Sequence, residues 1–181
     1  AGAVEAYRTL RTALISALAK ENDKIAIFTS ADSKEGKTLT ALNVAILMAQ
    51  MGRKVLLVDM DLRRGRLHRS LGLEKDPGVT DVLQGKLTIL GATVKTRIPE
   101  LWLIPAGSQV DNAAELLQSS DMNRFFAPVR ELYDYIIVDS SPVLRVTDTV
   151  ILAAQRVGAV VYVARVNRTA TAMIRYSFDM L

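Results

Sequence analysis

The sequence predicts an α/β domain built on a mostly parallel, twisted sheet with helices on both faces. Three observations lead there. Short runs rich in Ile and Val recur along the chain, "KIAIFTS" (24–30), "KVLLVDMD" (54–61), "LWLIPAG" (101–107), "DYIIVDSS" (134–141) and "GAVVYVAR" (158–165). None alternates apolar with polar residues, which is the mark of strands buried on both sides. Helical stretches separate them, so strand and helix alternate and right-handed crossovers follow. With 181 residues, half of them apolar, the chain can bury one substantial core, and residues 1–181 are expected to form a single domain.

The elements follow in order. Residues 1–20 read as a helix: Leu10, Leu14 and Leu18 form an apolar stripe, and Glu5, Arg8 and Arg11 lie beside it within about 120° of the helix face. The first strand runs into "ADSKEGKT", Ala31 to Thr38, and then into "KTLTALNVAILMAQMG". There Leu39, Leu42, Ile46 and Ala49 share helical spacing, and Gly52 marks the C-terminal stop. The second strand ends in Asp59 and Asp61, with Arg63 just beyond. Residues 62–99, with Gly65, Gly72, Gly78, Gly85 and Gly91, are the least regular and predict short helices and loops. The third strand carries Trp102, expected in the core. The fourth runs into Asp139, and the fifth is followed by "RVNRT", Arg165 to Thr169, placed to approach a ligand at that end of the sheet.

Three of these segments carry chemistry. A strand, a tight loop ending in Gly-Lys-Thr and a following helix make a phosphate-binding loop, because successive N–H groups and the helix N-terminus face the anion. This makes the fold P-loop NTPase-like. Loop residues Ser33, Lys34, Glu35 and Gly36, followed by Lys37, Thr38 and Leu39, supply the nucleotide contacts. Among them Lys37 bridges the terminal phosphates and the Thr38 hydroxyl holds Mg²⁺. Ala31 stands where the usual pattern begins with glycine. Strand residues two apart face one side, so Asp59 and Asp61 are expected to point into the same site, where carboxylates take a magnesium ion or a hydroxyl proton. Asp139 ends a buried strand, the usual place for a second magnesium anchor. Open α/β sheets bind ligands at that end of their strands.

Composition narrows the classes. There is no cysteine, which excludes disulfides and thiolate metal sites and favours a reducing compartment. No apolar run approaches the roughly 20 residues needed to cross a bilayer, so the chain itself reads as soluble. The 23 Lys+Arg against 19 Asp+Glu give a net charge of +4, suited to phosphates, acidic partners or an anionic membrane surface. The basic run Arg63, Arg64, Arg66, His68, Arg69 has no interleaved aromatic residue, which argues against nucleic acid. His68, the single histidine, is expected at the surface.

Together the loop, "VLLVDMDLRR", "YDYIIVDSS" and the opening "VEAYRTLRTAL" resemble the bacterial tyrosine kinases of capsular and exopolysaccharide synthesis. The resemblance implies a MinD/ParA-like domain that uses ATP and Mg²⁺ to phosphorylate tyrosines in trans within an oligomer. It assigns catalytic roles to Lys37, Asp59, Asp61 and Arg63, with Asp59 as the base. It assigns the metal to Thr38, Asp61 and Asp139, and a ring-forming subunit contact to Glu5, Arg8 and Arg11. It also implies ADP as product, a membrane adaptor or fused transmembrane domain at the inner face of the plasma membrane, and a cognate tyrosine phosphatase. No nucleic-acid partner is implied. The alternatives are a MinD/ParA-type ATPase switch and a catalytically silent nucleotide-binding scaffold. Asp32 stands where those ATPases carry a signature lysine, which favours the kinase. Four departures from the family pattern stand out, one of them "VDNA", Val110 to Ala113, in place of a proline-rich turn. No terminal tyrosine cluster is present, Arg66 replaces a tyrosine after the paired acids, and Ser140 and Ser141 replace the Thr-Pro that commonly follows the aspartate at Asp139.

Overall fold

The structure, a computed structural model, describes residues 2–120, 122–143, 149 and 157–181. Its elements are α1 (Gly2–Glu21), β1 (Ile25–Ser30), α2 (Lys37–Ala49), β2 (Val55–Asp59), α3 (Leu67–Leu71), α4 (Val79–Leu83), β3 (Val94–Lys95) and β4 (Leu101–Ile104). They continue with α5 (Ala113–Ser119), α6 (Met122–Arg130), β5 (Tyr135–Asp139), β6 (Ala159–Val163) and a last helix, α7 (Thr171–Met180). The strands form one sheet in the order β3-β4-β2-β5-β1-β6. All pairings are parallel except β3 with β4.

The unbroken apolar runs have a direct cause. Every residue of β1 and β2 is buried, and alternate side chains feed two separate cores. Ala26, Phe28, Val55, Leu57 and Ile137 pack under α1 and α2 with Leu14, Leu18, Ala45 and Met48. Ile27, Leu56, Val58 and Ile136 pack on the opposite face with Met122, Phe125 and Val129 of α6. Each large aliphatic side chain so removed from water contributes about 1.5–3 kcal/mol. Trp102 packs against this second core, edge-on to Tyr133 with ring centroids 5.3 Å apart.

Two expectations are corrected. Leu39 lies in the first turn of α2 but is 58% exposed; the buried stripe is Ala41, Leu42, Val44, Ala45, Met48 and Ala49. Leu39 belongs to neither core, both of which are filled by other side chains. His68 is buried, only 8% exposed, because α3 turns Leu67 and His68 inward. Gly52 does stop α2: its φ of 74° is left-handed, and its N–H bonds the Ala49 carbonyl at 2.9 Å.

Candidate active site

Strands β2, β5 and β1 are neighbours, so the two acidic segments and the phosphate loop finish at one end of the sheet. The pairing sets Asp59 opposite Asp139, and Phe28, shortly before the loop, opposite Asp139 on the other side. A cavity of about 470 Å³ opens there, lined by the loop, Asp61, Asp139, Ser141, Pro142 and the turn from Arg63 to Arg66.

The loop is held by its own side chains. The Ser30 hydroxyl donates to the Asp32 carbonyl at 2.8 Å, and the Asp32 N–H donates to Glu35 Oε2 at 2.9 Å. The other Glu35 oxygen accepts the Thr169 hydroxyl, tying the loop to the start of α7. Gly36 has a φ of 94°, which favours glycine strongly. Ala31 is fully buried and lies outside the left-handed region, which is why a methyl group is tolerated where glycine is usual.

Lys37 opens α2 and reaches across to β5, where its Nζ donates to Asp139 Oδ1 at 2.5 Å. The two groups are 6% and 1% exposed. Burial pushes the Asp139 carboxyl up, and the Lys37 ammonium only partly offsets this. The Thr38 hydroxyl lies 3.4 Å from the same Nζ. On the opposite wall Asp61 Oδ1 accepts the Arg64 N–H at 3.0 Å and the Ser141 hydroxyl at 3.2 Å.

Asp59 is the exception among the expected site residues. It is fully buried and does not line the cavity. Its Oδ1 accepts the Asp61 N–H at 3.3 Å and its Oδ2 accepts the Leu67 N–H at 3.1 Å, while Gly65 lies against it. Alternation puts residues two apart on one side only while a strand continues; β2 stops at Asp59, and the turn that follows carries Asp61 away. Burial, with Asp139 alongside, pushes the Asp59 carboxyl up to about 8.

Thr38, Asp61 and Asp139 line the same cavity, and their oxygens are hard donors of the kind a magnesium ion takes. Arg63 lines the cavity as expected. Glu5 and Arg8 lie elsewhere, on the exposed face of α1, joined at 3.3 Å. Arg11 does not stay with them: it is half-buried and donates to the Leu47 carbonyl of α2 at 3.4 Å. Two functional contacts escape sequence reasoning. Thr169 lies in the segment expected at this end of the sheet, but its partner there, Glu35 of the loop 134 positions away, is announced by no local pattern. Ser141 is visible in the sequence as a hydroxyl just past Asp139, but nothing there signals its bond to Asp61.

Comparison with known proteins bears on this arrangement. A family model described as an AAA domain matches residues 22–163. The tyrosine-protein kinase YwqD of Bacillus subtilis is 37% identical over 160 residues, covering 88% of this chain and 68% of that protein. The tyrosine-protein kinase wzc of Salmonella typhi is 36% identical over 163 residues, 90% of this chain but 22% of that protein. Against such long relatives the chain spans roughly a quarter of the length or less. The kinase domain of the Escherichia coli tyrosine kinase ETK superposes with a TM-score of 0.92 at 31% identity, covering 97% of this chain and 69% of that one.

Proposed function

The chain belongs to the bacterial tyrosine kinase family, and on that footing we propose that it transfers the terminal phosphoryl group of ATP to tyrosine hydroxyls in partner copies within an oligomer. The observation that carries this is the meeting of Lys37, Thr38, Asp61 and Asp139 around one cavity at the end of the sheet. Phosphoryl transfer asks the protein chiefly to position reactants and to stabilise charge.

The loop amides and the N-terminus of α2 hold the phosphates, and Lys37 turns from Asp139 toward them as they enter. Thr38, Asp61 and Asp139 would hold Mg²⁺, which supplies charge neutralisation on the phosphate oxygens. Ser141 and the Arg64 N–H fix Asp61 Oδ1, so its second oxygen is the one left for the site. In the transfer, the phenol oxygen forms a bond to phosphorus, the bond to the β–γ bridging oxygen breaks, and ADP leaves. The phenolic proton passes to a carboxylate. The resemblance gives the role of base to Asp59, which lies buried beneath the turn that follows β2, where burial raises its affinity for a proton.

By extension from the family we also propose a role in capsule or exopolysaccharide production, a membrane adaptor or fused span that places the chain at the plasma membrane, and a cognate phosphatase. Among the described residues no helix is long and apolar enough to cross a membrane. The test is phosphotyrosine formed with ATP and Mg²⁺ by the parent and by Lys37→Met. The variant should lose at least about 10²-fold in rate, the scale on which one positioned charge acts in a site of this kind. A variant as active as the parent would remove Lys37 from the mechanism.

A further inference from the structure

The mouth of the cavity is more basic than the nucleotide beneath it requires. Lys34, Arg64 and Arg66 line it, and all three are exposed. Among the described residues none of these three side chains is paired with a carboxylate. No acidic residue occurs between Asp61 and Glu74, so Arg64 and Arg66 have no acidic neighbour following them in the turn or in α3. The phosphates have their own partners deeper in, namely the loop amides, the end of α2 and Lys37. The outer cations therefore face whatever approaches from outside.

The same mouth carries an apolar surface. Leu39, 58% exposed, and Pro142 both line the cavity. An open leucine on a pocket wall is a position a ligand ring can cover, and a tyrosine ring has an apolar face beside a polar hydroxyl. Ring and charges occur together in one kind of ligand. An acidic segment with a central tyrosine would set the ring on Leu39 and Pro142, the hydroxyl inward toward Asp61, and its carboxylates against the rim. Arginine forks suit carboxylates in two-point contact.

We propose that this rim is the docking surface for the acceptor, and that the acceptor is a protein segment whose tyrosine is flanked by Asp or Glu. The proposal rests on the tyrosine-kinase reading and names the substrate class for that site. Surface electrostatics of this sort set association and selectivity more than the chemical step.

The test is equilibrium binding, which needs no turnover. Fluorescent peptides with one central tyrosine, flanked either by Glu or by Gln, are titrated by anisotropy against the protein holding ADP and Mg²⁺. The Glu-flanked peptide should bind at least about tenfold tighter at low salt and lose that advantage near about 0.5 M salt, as screened rim charges do. Arg64→Glu combined with Arg66→Glu should abolish the preference, and ADP affinity is measured on the same variant. Equal binding of the two peptides would overturn the proposal. So would a parallel loss of ADP affinity, which would assign the rim to the nucleotide. Equally tight, Arg64- and Arg66-dependent binding of a single-stranded RNA or of anionic lipid vesicles would overturn it too, because the rim would then be a general anion surface. If the acidic peptide binds selectively yet is never phosphorylated, docking stands and the kinase reading falls.

Discussion

At the scale of single residues, the site depends on carboxylates that do different work in nearly the same place. Asp139 holds Lys37, Asp61 faces the cavity, and Asp59 secures the turn from below. Glu35 is a fourth, and an odd one, because it is a buried acid inside a loop meant for anions. Its two oxygens are satisfied by the Asp32 N–H and the Thr169 hydroxyl, so it shapes the loop and joins it to α7. Glu35→Ala and Thr169→Val should each weaken ADP binding, and the double variant should lose less than the sum, with a coupling of about 0.5–2 kcal/mol in a calorimetric cycle. Strict additivity would show that the two residues act independently. The places of Lys37, Thr38 and Asp139 around the cavity were legible in the sequence because motif spacing and a strand end announce them, whereas Asp61 reaches the cavity from the turn beyond β2. The burial of Asp59 was not legible, because where β2 ends cannot be read from alternation that continues on paper through Asp61.

At the scale of elements, the five main strands were legible because burial on both faces leaves unmixed apolar runs, and their order along the chain forced crossovers. Strand β3 was not: two residues, Val94 and Lys95, carry no pattern, and only pairing with β4 makes them a strand. Helix α3 likewise owes its start to a distant group, since the Asp59 carboxylate accepts the Leu67 N–H. Gly65 makes this approach possible. A Cβ there would sit 2.7 Å from Asp59 Oδ2 and 2.6 Å from the Ala106 Cβ. Gly65→Ala should therefore push the turn off Asp59 and cost about 1–3 kcal/mol in urea unfolding. An unchanged midpoint would mean that the turn moves freely without loss, and the capping role of Asp59 would have to be abandoned.

At the scale of the whole molecule, the sheet separates two tasks. One end of it carries the cavity, while α1 lies on the helical layer beside α2 and offers Glu5 and Arg8 outward. Arg11 shares their motif but is turned onto the Leu47 carbonyl, so the three residues are not equivalent. Arg8→Glu places two acids together on an exposed helix face, and it should shift sedimentation toward smaller species while leaving thermal stability near that of the parent. Arg11→Ala should lower stability as well, because it removes a contact between helices. An unaltered sedimentation profile for Arg8→Glu would take Glu5 and Arg8 out of the assembly contact.

The proposed reaction carries phosphate from ATP to tyrosine in the cavity at the end of the sheet. The most direct measurement follows a γ-phosphoryl label in one reaction with Mg²⁺ and partitions it between protein and water. Label is expected in phosphotyrosine. Label recovered solely as free phosphate would contradict it and make the chain an ATPase switch on the same fold.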